Sequence, residues 1–237
     1  MGKKRKSVVA ALIVAAGSGT RMERSIPKQF IKLNEKPILR YTLEKFQTCN
    51  DIDQIYVILP DEYVKAYRDI FVKKWRISKF TKAVAGGEER HLSVWAGLQA
   101  LAADVEIVLI HDGVRPFVSH RILKESIAAA ELYGAAVVGL MPKDTVKLVR
   151  DNKVEKTLDR RDVIFAQTPQ TFERDVIVKA NMLAFEKKSF STDDAALVEQ
   201  SGRTVAVVPG DWKNFKITSP EDLILAKAIL EEGGGCA

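Results

Sequence analysis

The sequence predicts an α/β protein built on a doubly wound, mostly parallel sheet that carries a β-hairpin arm. Three observations predict it. Runs such as Val8–Ala15 and Ala135–Leu140 are apolar along their whole length, as strands covered on both faces must be. Helical patterns separate these runs in alternation, which is the mark of strand–helix–strand units. One interruption, at about residues 141–162, is polar and short-stranded.

Taken in order, Val8–Ala15 is the first strand, and it runs into the turn Gly17-Ser18-Gly19. A helix is expected near Ile38–Gln47, a strand at Ile55–Leu59, a helix near Glu62–Lys74, and a strand ending at Ala85. Glu89–Leu101 reads as helix, Val105–Ile110 as strand, and Ser119–Leu132 as a helix with Ser119 as its N-cap. After the strand Ala135–Leu140, two polar strands, Thr145–Val149 and Val154–Leu158, flank a turn at Asp151-Asn152. A hairpin with so little apolar surface needs something to pack on, and a partner subunit is the candidate. A short run at Val163–Ala166 follows, then helices at Arg174–Lys187 and Asp194–Ser201. Strands at Thr204–Val208 and Phe215–Ile217 precede a closing helix, capped by Ser219 with Pro220 at its first position. The 237 residues suit a single domain, 1–237, with the hairpin as an appendage.

Composition narrows the function classes. Hydrophobic residues make up 46%, enough for a proper core, and no apolar run is long enough to span a membrane. The net charge of +6 owes four of its charges to Lys3, Lys4, Arg5 and Lys6. The remainder is close to balance, so the tail reads as a solvated end and no nucleic-acid-binding face is expected. No signal peptide is read at the start, and the two cysteines, Cys49 and Cys236, suggest neither a disulfide framework nor a metal site. The expectation is a cytoplasmic chain. His91, His111 and His120 lack metal-ligand spacing and read as polar or packing residues.

Ligands of such folds bind at the carboxyl ends of the strands. The loops after Ala16, Gly86 and Ile110 should therefore share one cleft. The first holds Gly17, Ser18 and Gly19, with Arg21 and Lys28 just beyond. A glycine-rich turn can bring backbone N–H groups around phosphates, and two cations add full charge there. It is neither a dinucleotide fingerprint, since Met22 stands where the third glycine belongs, nor a P-loop. The second loop, Gly86-Gly87-Glu88-Glu89-Arg90, with Ser93 one turn later, either admits a flat ligand or is simply a strand-to-helix turn. The third, His111-Asp112-Gly113-Val114-Arg115, offers a carboxylate for a metal or hydroxyl and a guanidinium for a phosphate. The plainer reading is an Asp–Arg pair that orders its loop. Lys216, between Phe215 and Ile217, reads by itself as a solvent-facing strand residue.

The ordered set AAGSGTRM with PKQF, AGGEER with Ser93, HDGVRPF, Asp144-Thr145, LDRR with QTPQTF, TDDA and NFKITSPEDL resembles the 2-C-methyl-D-erythritol 4-phosphate cytidylyltransferase family of the non-mevalonate isoprenoid pathway. The match runs from Val8 to about Leu230. The resemblance implies a Rossmann-like nucleotidyltransferase fold, a homodimer interlocked through the hairpin, CTP and methylerythritol phosphate as substrates, and Mg2+ as cofactor. It implies Arg21, Lys28 and Lys216 as catalytic cations. It assigns Ala15, Ala16, Gly17, Ser18, Gly19, Gly87, Glu88 and Ser93 to CTP. It assigns Asp112, Arg115, Thr145, Arg160 and Thr168 to the polyol phosphate, with Asp112 also the candidate metal contact. A sister family, ribitol 5-phosphate cytidylyltransferase, shares the glycine loops and is the nearest rival reading. A non-catalytic nucleotide-binding module is the rival of a different class.

Overall fold

A seven-stranded sheet runs through the computed structural model, which describes residues 7–17 and 26–234. The basic tail at 3–6, the loop residues Ser18, Gly19 and Arg21, and the end at 235–237 lie outside the described residues. In chain order the elements begin with β1 (Val8–Val14), a short 3-10 turn at Lys28–Phe30, β2 (Lys32–Leu33), β3 (Lys36–Pro37) and α1 (Ile38–Gln47). Next come β4 (Gln54–Leu59), α2 (Asp61–Asp69), β5 (Phe80–Ala85), α3 (Arg90–Gln99), β6 (Val105–Asp112) and α4 (His120–Tyr133). β7 (Ala135–Leu140), β8 (Val146–Arg150), β9 (Lys153–Leu158) and β10 (Phe165–Glu173) follow. The chain closes with α5 (Arg174–Lys187), α6 (Asp194–Gln200), β11 (Ala206–Pro209) and α7 (Pro220–Gly234).

The sheet order is β11-β7-β10-β6-β1-β4-β5. All neighbours are parallel except β10, which is antiparallel to both β6 and β7. β1 shows why both faces are covered. Val9, Ala11 and Ile13 point into a core shared with α1 and α4, whereas Ala10 and Leu12 point into one shared with α3, α5 and α6. A strand whose two faces are both apolar can be stable only under helices on each side. α7 covers a third cluster, where Leu223 and Ala226 meet Ile31, Leu33, Val114 and Ile217.

Local signals behave as the residue types require. Ser119 Oγ accepts the Ile122 N–H at 3.3 Å, and Gly134, at φ 82°, closes α4 in the left-handed region. At α7, Asp222 Oδ2 accepts from the Thr218 and Ser219 backbones at 2.8 and 2.9 Å, the reciprocal of the Ser219 cap. The hairpin turns at Asp151 and Asn152, whose φ values of 49° and 59° are those of a tight two-residue turn that matches strand twist. Its strands form a sheet of their own, with Leu148, Val149 and Val154 exposed.

Three expectations are corrected. Phe215–Ile217 is not a strand among the described residues. The segment is linked to the loop after β6 by Ile217 N–H donating to Val114 O at 2.9 Å, while the Ile217 side chain is buried under α7. The run Val163–Ala166 is only the approach to β10, which continues through Gln167, Thr168, Pro169 and Gln170 across the middle of the sheet. The polar Gln167, Thr168 and Gln170, with Pro169 among them, hide a central strand from a pattern based on apolarity. The helix expected at Glu62–Lys74 gives way after Asp69 to a π-type turn, Ile70–Lys74, which swings Phe71 into the core.

Candidate active site

The carboxyl ends of β1, β5 and β6 open into one cleft. Ala15 and Gly17 line it from the first loop, Gly87, Glu88 and Ser93 from the second, and Asp112 from the third. Lys28 and Lys216 complete the wall from outside the sheet. The close approach of the first two loops depends on Gly86. A Cβ there would strike the Ala16 Cβ, and would lie 2.7 Å from Ser93 Oγ. Ser93 is buried, and its hydroxyl both accepts from the Gly87 N–H and donates to the Gly87 carbonyl, each at 3.2 Å. It therefore fixes the peptide that faces the cleft.

Lys28 reaches the cleft from a short turn whose next two residues are anchored. Gln29 is buried and donates from Nε2 to Ala15 O at 2.6 Å. Phe30 packs against Tyr67 at 4.3 Å and Tyr63 at 4.8 Å between ring centres. The cation is thus referenced to the end of β1 by one hydrogen bond and to α2 by ring packing.

At the floor stands Asp112, buried at the end of β6. Its Oδ2 meets Arg115 Nε at 3.1 Å and Lys216 Nζ at 3.2 Å, and its Oδ1 lies 3.8 Å from Arg90 Nε. Burial pushes this carboxyl up, but Lys216, Arg90 and Arg115 together outweigh it and hold the group well below the usual carboxylate range. Arg90 in turn binds Asp194 at 2.7 Å. Burial disfavours its charge, yet Asp194 above all, with Asp112 and Asp193, raises its affinity for the proton. Asp194 is pushed up by burial against the opposing pull of Arg90.

Lys216 is brought in by polar bonds that no hydrophobic pattern reveals. Asn214 Nδ2 donates to Gln167 Oε1 at 3.1 Å and to Thr168 O at 2.8 Å, and Arg115 Nη1 donates to Asn214 O at 2.9 Å. The segment is tied to β10 and to the Asp112 loop, so its lysine turns inward. The solvent-facing reading of Lys216 is corrected accordingly.

Beneath Asp112 lies a neutral histidine. His111 Nε2 donates to Arg115 O at 3.1 Å, since a carbonyl can only accept. Its Nδ1 then accepts the Thr168 hydroxyl at 3.1 Å, and the same hydroxyl oxygen accepts the Asp112 N–H at 3.1 Å. Burial lowers the His111 pKa to about 4, so it holds no charge at neutral pH. Thr168 therefore braces the floor. His91 stacks on Phe190 at 3.9 Å, and His120 bonds to Thr48 at 2.9 Å. Each histidine has a packing or hydrogen-bonding place.

Thr145 and Arg160 stand apart from the cleft wall, at the base of the hairpin, and both are exposed. Arg160 donates to Lys143 O at 2.6 Å, while Arg161 forks onto Asp159 at 2.6 Å. Asp112 does not fit a protein-held metal site, because cations face both of its oxygens. Among the described residues no three His, Cys, Asp or Glu side chains gather to hold an ion. Sequence reasoning left Gln29, Arg90, Gln170 and Asp194 without roles, although AGGEER, PKQF, QTPQTF and TDDA contain them.

The profile of the 2-C-methyl-D-erythritol 4-phosphate cytidylyltransferase family matches residues 9–232. The chain belongs to that family. A family member from Clostridioides difficile (strain 630) is 45% identical over 221 residues, covering 93% of each chain. One from Syntrophus aciditrophicus (strain SB) is 45% identical over 231 residues, covering 97% of this chain and 99% of the relative. The crystal structure of 4-diphosphocytidyl-2C-methyl-D-erythritol synthase from Anaerococcus prevotii DSM 20548 superposes with a TM-score of 0.85 at 34% identity, over 95% of this chain and 97% of that one. Membership makes the chain a cytidylyltransferase, an enzyme of the nucleotidyltransferase class. Among the described residues no helix is long and apolar enough to cross a membrane.

Proposed function

We propose that this chain transfers CMP from CTP to 2-C-methyl-D-erythritol 4-phosphate, giving 4-diphosphocytidyl-2-C-methyl-D-erythritol and pyrophosphate. The observation that carries the proposal is the convergence of Lys28, Arg90 and Lys216 on one cleft at the strand ends, with Arg115 paired to Asp112 at its floor. An oxygen of the substrate monoester attacks the α-phosphorus in line. The bond from that phosphorus to the α–β bridging oxygen breaks, and pyrophosphate leaves with the electron pair.

With a second pKa near ~6, the monoester is mostly dianionic at neutral pH and needs no general base. This suits a floor whose histidine is buried and neutral. The barrier is repulsion between polyanions, and fixed cations relieve it without reorganising. In this reading Lys28, with Arg21 of the first loop, faces the triphosphate, and Lys216 faces the centre where the two phosphates meet. Arg115 faces the substrate phosphate. Gly17, Ser18 and Gly19 enclose the triphosphate, with Ala15 and Ala16 at their base. Gly87 and Glu88, held by Ser93, receive cytosine. Mg2+ accompanies the triphosphate, since among the described residues no three His, Cys, Asp or Glu side chains gather to hold it.

The reading takes the chain as one cytoplasmic domain that works as a homodimer. The exposed Leu148, Val149 and Val154 of the arm support that pairing. Thr145 and Arg160 then reach the polyol phosphate beside the arm, partly across the dimer. The test is pyrophosphate release from CTP and Mg2+ with methylerythritol 4-phosphate or ribitol 5-phosphate. Turnover with the first is expected. Preference for the second would reassign the acceptor pocket, and silence with both would refute the transfer reading.

A further inference from the structure

Arg90 lines the cleft at the start of α3, yet its tightest bond is to a distant residue. Asp194, 104 positions further along the chain, receives its Nη2 at 2.7 Å and is buried. Asp194 opens α6, and a single side chain from the sheet sets that helix in place. Gln170 of β10 is buried, and its Oε1 accepts the N–H groups of Asp194 and Ala195 at 2.9 Å each. Its Nε2 donates to Asp193 Oδ2 at 2.8 Å, and Asp193 Oδ1 caps the helix at Ala196 N at 3.0 Å. Gln170 also sits opposite Ile110 in the ladder, two residues before Asp112. The two carboxylates flanking Arg90 are therefore referenced to one pair of adjacent strands.

We propose that Asp194, fixed by Gln170, is a positioning residue that holds Arg90 against Asp112 and thereby sets where Arg115 and Lys216 stand in the cleft. The inference rests on the transfer reading above. Asp112 is shared by three cations, so moving one alters the balance on the other two. Without Asp194, the ion pair left to Arg90 among the described residues is the looser one to Asp112 at 3.8 Å, and its fork can turn toward the bound phosphates.

Three variants test this in the pyrophosphate-release assay: Asp194→Asn, Arg90→Met and the double mutant, each with its melting temperature recorded. Asn keeps the size of Asp and leaves the Asp193 cap and the Gln170 bonds intact. Each single change is expected to lower kcat by about 10- to 100-fold, as for other groups that orient a working side chain, with a smaller change in KM for CTP. The double mutant should be no slower than Arg90→Met, because the two act through one contact. An Asp194→Asn enzyme within about twofold of wild-type kcat, or a multiplicative loss in the double mutant, would overturn the proposal. Arginine side-chain NMR without substrate reads the clamp independently of turnover. The Arg90 Nη2 protons should exchange slowly in wild type and fast in Asp194→Asn, and unchanged exchange refutes the clamp. A silent wild type with a normal Arg90 signal would refute the transfer reading and the catalytic consequence, and leave the clamp standing.

Discussion

Replacing Asp112 by Asn removes one charge and almost no volume, so it isolates what the carboxylate does at the floor of the cleft. The contacts at 3.1 and 3.2 Å each carry roughly 5 kcal/mol of gross attraction at an effective dielectric of about 20. Lys216 is 34% exposed, which discounts its share through screening. Repulsion among the three cations and the cost of burying the carboxylate oppose the attraction, leaving a net loss of about 3 kcal/mol when the charge is removed. For a chain of this size that is roughly 6–12 °C in melting temperature. The cations lose their common anchor, so kcat should fall as well. The sign of the acid dependence follows from the lowered carboxyl pKa. Its stabilisation is complete above the unfolded value of about 4 and is lost as pH falls from there toward the folded value. Thermal unfolding from pH 7 downward, with turnover at pH 7, measures both effects. An Asp112→Asn protein that melts within about 2 °C of wild type and keeps its kcat would refute the anchoring argument.

Lys28→Ala should fold normally, since the side chain is only half-buried, but lose about 3–4 kcal/mol of transition-state stabilisation, read as kcat in the same assay. His111, lowered by burial to about 4, gives stability that is complete above about pH 6.5 and declines toward pH 4, because only the unfolded chain takes up the proton there. Its share is roughly 3 kcal/mol, and His111→Gln should flatten that part of the stability–pH curve measured by denaturant unfolding. On the proposed homodimer, Leu148→Lys with Val154→Lys on the arm should shift the sedimentation mass from two chains to one without altering the far-ultraviolet spectrum; a mass that does not change between wild type and variant would refute pairing through the arm.

Legibility followed apolarity. The runs of β1, β4, β6 and β7 could be read directly because a strand covered on both faces is nearly continuous in apolar residues, with Glu106 the one charge inside the run Val105–Ile110 of β6. The helices α1 and α5 were legible to the residue from their periodicity. β10 was not, because Gln167, Thr168 and Gln170 replace apolar packing with buried hydrogen bonds to distant segments. The 215–217 segment misled for the complementary reason. It alternates like a strand, yet its partners are a loop carbonyl and a helix face.

The amino-acid sequence alone determined the fold class, the sheet's covered faces, the three loops that meet at the cleft, and the family, because each depends on local periodicity or on ordered motifs. Tertiary structure decided which charges share a partner. Arg115 stands three residues from Asp112 and its pairing could be read locally, but Arg90 and Lys216 are distant in the chain, and only the fold brings them to the same carboxylate. Charge sharing depends on distance and burial in space, and sequence separation carries neither.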